Sequence, residues 1–131
     1  MADYITFHLV SPEKKLASID AKSVSIPGIE GDMTLLPNHA DFLTTLRPGL
    51  ICIESHADTQ EFVVTGGFVE VSDSIATVLA QKAIKKAEAN KDFFEPFISD
   101  AEEECRNVSV NGKARADLRL NDLKNASQIF D

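Results

Sequence analysis

Long uncharged runs are missing from this chain of 131 residues: the longest stretch without Asp, Glu, Lys or Arg is the nine residues from Tyr4 to Pro12. A bilayer-spanning helix needs about 20 apolar residues, so none is expected. Basic charge is also scarce. Thirteen Lys and Arg stand against 21 Asp and Glu, a formal charge of -8, which repels phosphates and anionic lipid. Neither nucleic-acid binding nor direct membrane binding is expected. The start MADYITFHLV has no basic flank before an apolar run and no Arg-rich amphipathic character, so the expected compartment is cytoplasm-like. Cysteine is limited to Cys52 and Cys105, without CxxC or His-x-x-His spacing, which excludes a zinc motif and a disulfide framework. Cys52, in the apolar run LICI, reads as a small buried thiol. No GxxxxGK[ST] loop and no nucleophile elbow is present.

What remains is ample for one core. Apolar residues make up 44% and charged residues 26%, the balance of a globular domain rather than a disordered chain. At 14.3 kDa, about two-thirds of the unfolded surface can be buried.

Composition switches near residue 81. Val, Ile and Thr number 21 in residues 1–81 and 5 in 82–131, and all seven Thr lie in the first part. Branched side chains favour strands, whereas the Ala, Glu, Lys and Asn of the second part favour helices and turns. Charge divides too. Residues 1–81 carry 4 basic and 11 acidic groups, and residues 82–131 carry 9 and 10.

In the first part Ile5, Phe7 and Leu9 alternate with polar neighbours, the period of a strand with one buried face. Further strands are expected at about 15–26, 33–36, 42–46, 50–55, 60–71 and 74–81, divided by Pro27-Gly28, Pro48-Gly49 and Ser72-Asp73. Such spacing suggests a sandwich or barrel. Around Gly66-Gly67 the apolar parity flips between Phe62/Val64 and Val69/Val71, which a bulge or a two-residue hairpin turn would explain. In the second part Ile84, Ala87, Phe94, Ile98, Ala101 and Cys105 form a helical stripe. Pro96 is tolerated only in a first turn, so the main helix should start between Asp92 and Pro96, with Asp92 and Glu95 as a capping box, and end near Arg106. After Asn111-Gly112, Ala116, Leu120, Leu123 and Phe130 form a second stripe. The expected fold is mainly β with α: an N-terminal antiparallel β-sandwich at 1–85 followed by a C-terminal two-helix hairpin at 86–131. Helices this short are marginal alone, so the hairpin needs a partner surface.

The compact cluster of reactive groups is Glu30, Asp32, His39 and Asp41, within PGIEGDMTLLPNHADF. A histidine near carboxylates could serve acid-base or metal chemistry, but no nucleophile or third ligand accompanies it, and an exposed loop on a β scaffold is a natural docking surface. His8 and His56 read as solvent-facing, and Glu102 to Glu104 as a solvated helix face. The last 27 residues carry Arg106, Lys113, Arg115, Arg119 and Lys124 against Asp117, Asp122 and Asp131, either ordinary helix decoration or a cationic helix for an acidic partner.

Three blocks in order, PGIEGDMTLLPNHADFLTTLRPGLICI, VTGGFVEV and ATVLAQKA, resemble the epsilon subunit of the bacterial rotary ATP synthase, equivalent to the delta subunit of the mitochondrial enzyme. Thr34 and Asn38 stand where that family commonly has glycine. The resemblance implies ten strands, a helical hairpin, no catalytic residues, no metal and no cofactor. It implies a proton-translocating ATP synthase's central stalk, with the sandwich packed on the gamma subunit and resting on the ring of c subunits. The protein would then be peripheral, on the cytoplasmic face of the bacterial inner membrane, with membrane association through the ring. Glu30, Asp32, Asn38 and His39 take the ring-facing positions. The hairpin would be regulatory, with Arg115, Arg119 and Lys124 meeting the alpha and beta subunits of the catalytic head when extended, and inhibiting hydrolysis. The ATP-binding motif [IL]-D-x-x-R-A of some relatives is absent; the stretch reads ANKDFFEPFISDAEEE. The competing class is a free-standing β-sandwich ligand-binding module with a helical tail.

Overall fold

A computed structural model describes residues 3–130. Ten strands precede two helices: β1 (Ile5–Val10), β2 (Lys15–Ala21), β3 (Ser23–Gly28), β4 (Gly31–Leu35), β5 (Phe42–Leu46), β6 (Gly49–Glu54), β7 (Thr59–Val64), β8 (Gly67–Ser72), β9 (Ile75–Ala80), β10 (Ala83–Lys85), α1 (Glu95–Asn107) and α2 (Lys113–Ser127). They make a barrel-like sandwich. One layer runs β4-β3-β6-β7-β10 and the other β5-β8-β9-β1-β2, linked where Gly28 pairs with Leu46. All pairings are antiparallel except β1 with β9. Alternation fills the space between layers, with Ile5, Phe7 and Leu9 of β1 and Val69 and Val71 of β8 from one layer joining Ile51 and Ile53 of β6 from the other in one buried cluster.

Two expected long strands are divided. The segment at 15–26 breaks at Lys22 into β2 and β3, and 60–71 breaks at Thr65-Gly66 into β7 and β8. Neither a bulge nor a hairpin explains the glycine pair, because β7 and β8 belong to different layers and do not pair with each other. Here the chain crosses the sandwich corner. The return crossing from β9 to β10 runs beside it: Thr65 N–H donates to Lys82 O and Gln81 N–H donates to Gly66 O, each at 3.1 Å. Gly67 has φ +151°, and a Cβ there would meet Leu79 O at 2.1 Å, so the crossing requires glycine.

Strand β7 is buried on both faces. Val63 points away from the sandwich core yet is fully buried, because the hairpin covers it. Leu50, Val63 and Ile84 lie side by side across β6, β7 and β10. Phe94, Ala101, Leu123 and Ala126 pack on that row, with Phe97, Ile98, Leu120 and Phe130 around them. Ile84 is thus a strand residue and not the first of a helical stripe. Helix α1 starts at Glu95 with Pro96 in its first turn, where proline costs least. The Asp92/Glu95 capping box does not form. Asn90 Oδ1 accepts from Asp92 N–H at 2.9 Å and opens a 3-10 turn instead. No described helix is long and apolar enough to cross a membrane.

Candidate functional site

The turn between β3 and β4 is the two-residue link Ile29-Glu30, closed by the pairing of Gly28 with Gly31. Gly31 has φ +140°, a conformation open to glycine. Both Ile29 and Glu30 are exposed at the tip. Behind them Arg47, just after β5, braces the turn three times. Its backbone N–H donates to Pro27 O at 2.9 Å, Nε donates to Gly28 O at 2.7 Å, and Nη2 donates to Asp32 Oδ1. Asp32 keeps 83% of its side-chain surface exposed and Arg47 33%, so the pair is a rim interaction that fixes geometry more than it adds stability.

Asn38 and His39 lie elsewhere. Strand β4 carries the chain away from the turn, and the loop 36–41 sits at the opposite end of the sandwich. There Asn38 N–H donates to Ser74 Oγ at 2.9 Å and Asp73 N–H donates to Asp41 Oδ1 at 3.1 Å, tying this loop to the β8–β9 turn. His39 stacks obliquely on Phe42, ring centres 5.1 Å apart, while Arg47 follows Leu46 at the other end of β5. Four strand steps put roughly 13 Å between those two ends. The expected single tip of Glu30, Asp32, Asn38 and His39 is therefore two separate features, because antiparallel register sends the ends of β4 in opposite directions. His39 Nδ1 lies 2.8 Å from Ala40 O, an acceptor only, so Nδ1 carries the proton. Among the described residues no group of three His, Cys, Asp or Glu could hold a metal.

The hairpin cations are also divided. At about 100° per residue, Arg115 and Arg119 fall within about 40° of each other, and Lys124 about 180° from Arg115. Arg115 and Lys124 are exposed, whereas Arg119 is half-buried with Nη1 4.0 Å from where a side chain on Gly66 would begin. Lys113 braces the hairpin itself, donating to Cys105 O at 3.1 Å and pairing with Asp117 at 3.2 Å.

Between the C-terminal half of α2 and the outer face of β3, β4 and β6 lies a groove of about 480 Å³. Asp32, Met33, Arg47 and Cys52 line one wall, and Asp122, Asn125, Ala126 and Ile129 the other. Cys52 is half-buried on this outer face and not in the core, contrary to the expectation from LICI. Burial pushes its thiol above the ordinary value, the carboxylates of Glu61 and Glu54 add to this, and Lys86 partly offsets them. His8 departs from expectation as well, being half-buried with Nδ1 shielded.

Sequence reasoning missed the outer face of the second layer. Leu43, Phe68, Ile75 and Leu79 are 42–69% exposed there, with Phe68 directly opposite Leu79. The available signal was adjacent apolar residues, Phe68-Val69 and Val78-Leu79, which give one strand two apolar faces. It also missed Arg47, for which local sequence carries no signal.

Fold and surfaces define a class: a β-sandwich with an appended helical hairpin on one outer face and an exposed apolar patch on the other. The model of the ATP synthase delta/epsilon chain β-sandwich domain matches residues 4–86. An ATP synthase epsilon chain of Rhodobacter capsulatus is 51% identical over 88 residues, 67% of this chain and 67% of that one. One from Cereibacter sphaeroides is 40% identical over 123 residues, 94% of this chain and 93% of that one. A chain in the cryo-EM structure of the Euglena gracilis mitochondrial ATP synthase OSCP/F1/c-ring assembly superposes with a TM-score of 0.75 at 17% identity, over 100% of this chain and 84% of that one. The chain belongs to the ATP synthase delta/epsilon family.

Proposed function

We propose that this protein is a non-catalytic subunit of the central stalk of a proton-translocating ATP synthase. The observation that carries the reading is the apolar outer face of Leu43, Phe68, Ile75 and Leu79, left bare on the side of the sandwich away from the hairpin. Exposed apolar patches of this kind mark protein contacts. That face takes the gamma subunit, and the neighbouring loop with Asn38 and His39 extends the same contact. At the other end Glu30 and Asp32 meet the polar loops of the c-ring, where charge sets registry more than affinity. Residues 1–85 are the coupling part. Residues 86–131 are a regulatory part that leaves the sandwich, extends toward the catalytic head and brings Arg115, Arg119 and Lys124 to acidic segments of the alpha and beta subunits, slowing ATP hydrolysis. The protein lies peripherally on the cytoplasmic face of the inner membrane, held there by the ring.

Two variants test the reading in the reconstituted complex. Phe68→Glu should abolish co-purification with gamma while the isolated subunit stays folded; retention of gamma would refute the assignment of that face. Deletion of residues 86–131 should preserve co-purification and raise ATPase activity of the reconstituted head. Unchanged hydrolysis would remove the regulatory role and leave the coupling role standing.

A further inference from the structure

The groove beneath α2 holds one cation and two carboxylates. Among the described residues Arg47 is the only Lys, Arg or His on its walls, with Asp32 on the sandwich side and Asp122 on the helix side. Asp32, 83% exposed, has the guanidinium. Asp122 is half-buried and has no ion pair among the described residues. A carboxylate in a partly enclosed groove gains more from a cation than an exposed one does.

We propose that Arg47 is a positioning residue shared between these two acids, so that whatever occupies Asp32 decides how firmly α2 is held to the sandwich. While Asp32 is free of partners, Arg47 stays on the turn and Asp122 adds nothing to docking. A cationic group that engages Asp32 frees the Nη2 end of the guanidinium, which turns across the groove toward Asp122 while Nε stays on Gly28 O. Engagement of the turn then tightens the hairpin. By reciprocity, a docked hairpin favours the partner at the turn. The bistable element is one arginine rotamer, and both sites bias it. Where the partner is the c-ring, this rests on the reading above: attachment to the ring would hold the hairpin down.

A double-mutant cycle in the isolated full-length chain tests the relay without any partner. Asp32→Asn removes the competing charge, and hydrogen exchange reports the opening of α2. Protection of the α2 amides should rise about two- to fivefold, the range of a partly exposed ion pair. The rise should vanish when Asp122→Asn is added, and also when Arg47→Gln is added. An unchanged α2 in Asp32→Asn, or an equal rise with Asp122 already neutral, would overturn the relay. The ring assignment fails separately, if Glu30→Gln and Asp32→Asn leave attachment to the ring at full strength.

Discussion

The sandwich and the hairpin are held by different amounts of the same force. Seventeen buried apolar residues join the two layers, whereas five hold the helices, one of them Val63 supplied by the sandwich itself. Ladders of backbone hydrogen bonds bind every strand to a neighbour, but no ion pair between α1 or α2 and the sandwich occurs among the described residues. The bond nearest to one is Lys86 to Glu61, 3.9 Å apart in the linker. The hairpin is a passenger on an apolar row three residues wide. Its undocking exposes a smaller apolar cluster than the one that joins the two layers, which favours two packings of similar free energy.

The largest expected effect separates the two parts outright. Phe7→Ala should lower the stability of the whole chain by about 3–5 kcal/mol, seen in urea unfolding. Phe94→Ala removes a side chain of the same size and burial, yet its effect should be local: amide protection lost throughout 95–127 with the unfolding midpoint of the sandwich unchanged. If Phe94→Ala shifted both together, the hairpin would belong to the same cooperative unit. Next in size, Gly67→Ala should cost about 1–3 kcal/mol, because its backbone conformation and the carbonyl of Leu79 both oppose a Cβ. A smaller effect sharpens where the hairpin sits. Cys52 should alkylate slowly near neutral pH, since its raised pKa leaves little thiolate, and roughly a fewfold faster in Phe94→Ala, where the helix no longer covers the groove. Equal rates would place Cys52 outside the docking surface. Salt should do least. Raising ionic strength should leave hairpin protection nearly constant, as expected for apolar docking.

Local rules carried well. The strand of Ile5, Phe7 and Leu9, the start of α1 around Pro96 and the second stripe through Ala116 and Leu123 follow from pleat, ring sterics and helical period. The loop chemistry carried less well. Glu30, Asp32, Asn38 and His39 are near neighbours in sequence, and the expectation of one shared tip treated that nearness as spatial. A strand five residues long between them suffices to put them at opposite ends. Arg115, Arg119 and Lys124 are near in sequence too, yet on the docked helix Lys124 points to the side opposite Arg115.

That strands come first and helices follow was set by the sequence alone, because branched, alternating residues and unbranched, helix-forming residues act over a few positions, although the last strand, β10, lies beyond the switch in composition. Tertiary structure alone decided that Val63 lies beneath the helices, that the glycine pair marks a corner between layers, and that Arg47, Asp32 and Asp122 line one groove. Those facts depend on register between strands far apart in sequence. No local preference encodes register, since it is fixed only when both layers and the hairpin close on their apolar faces together.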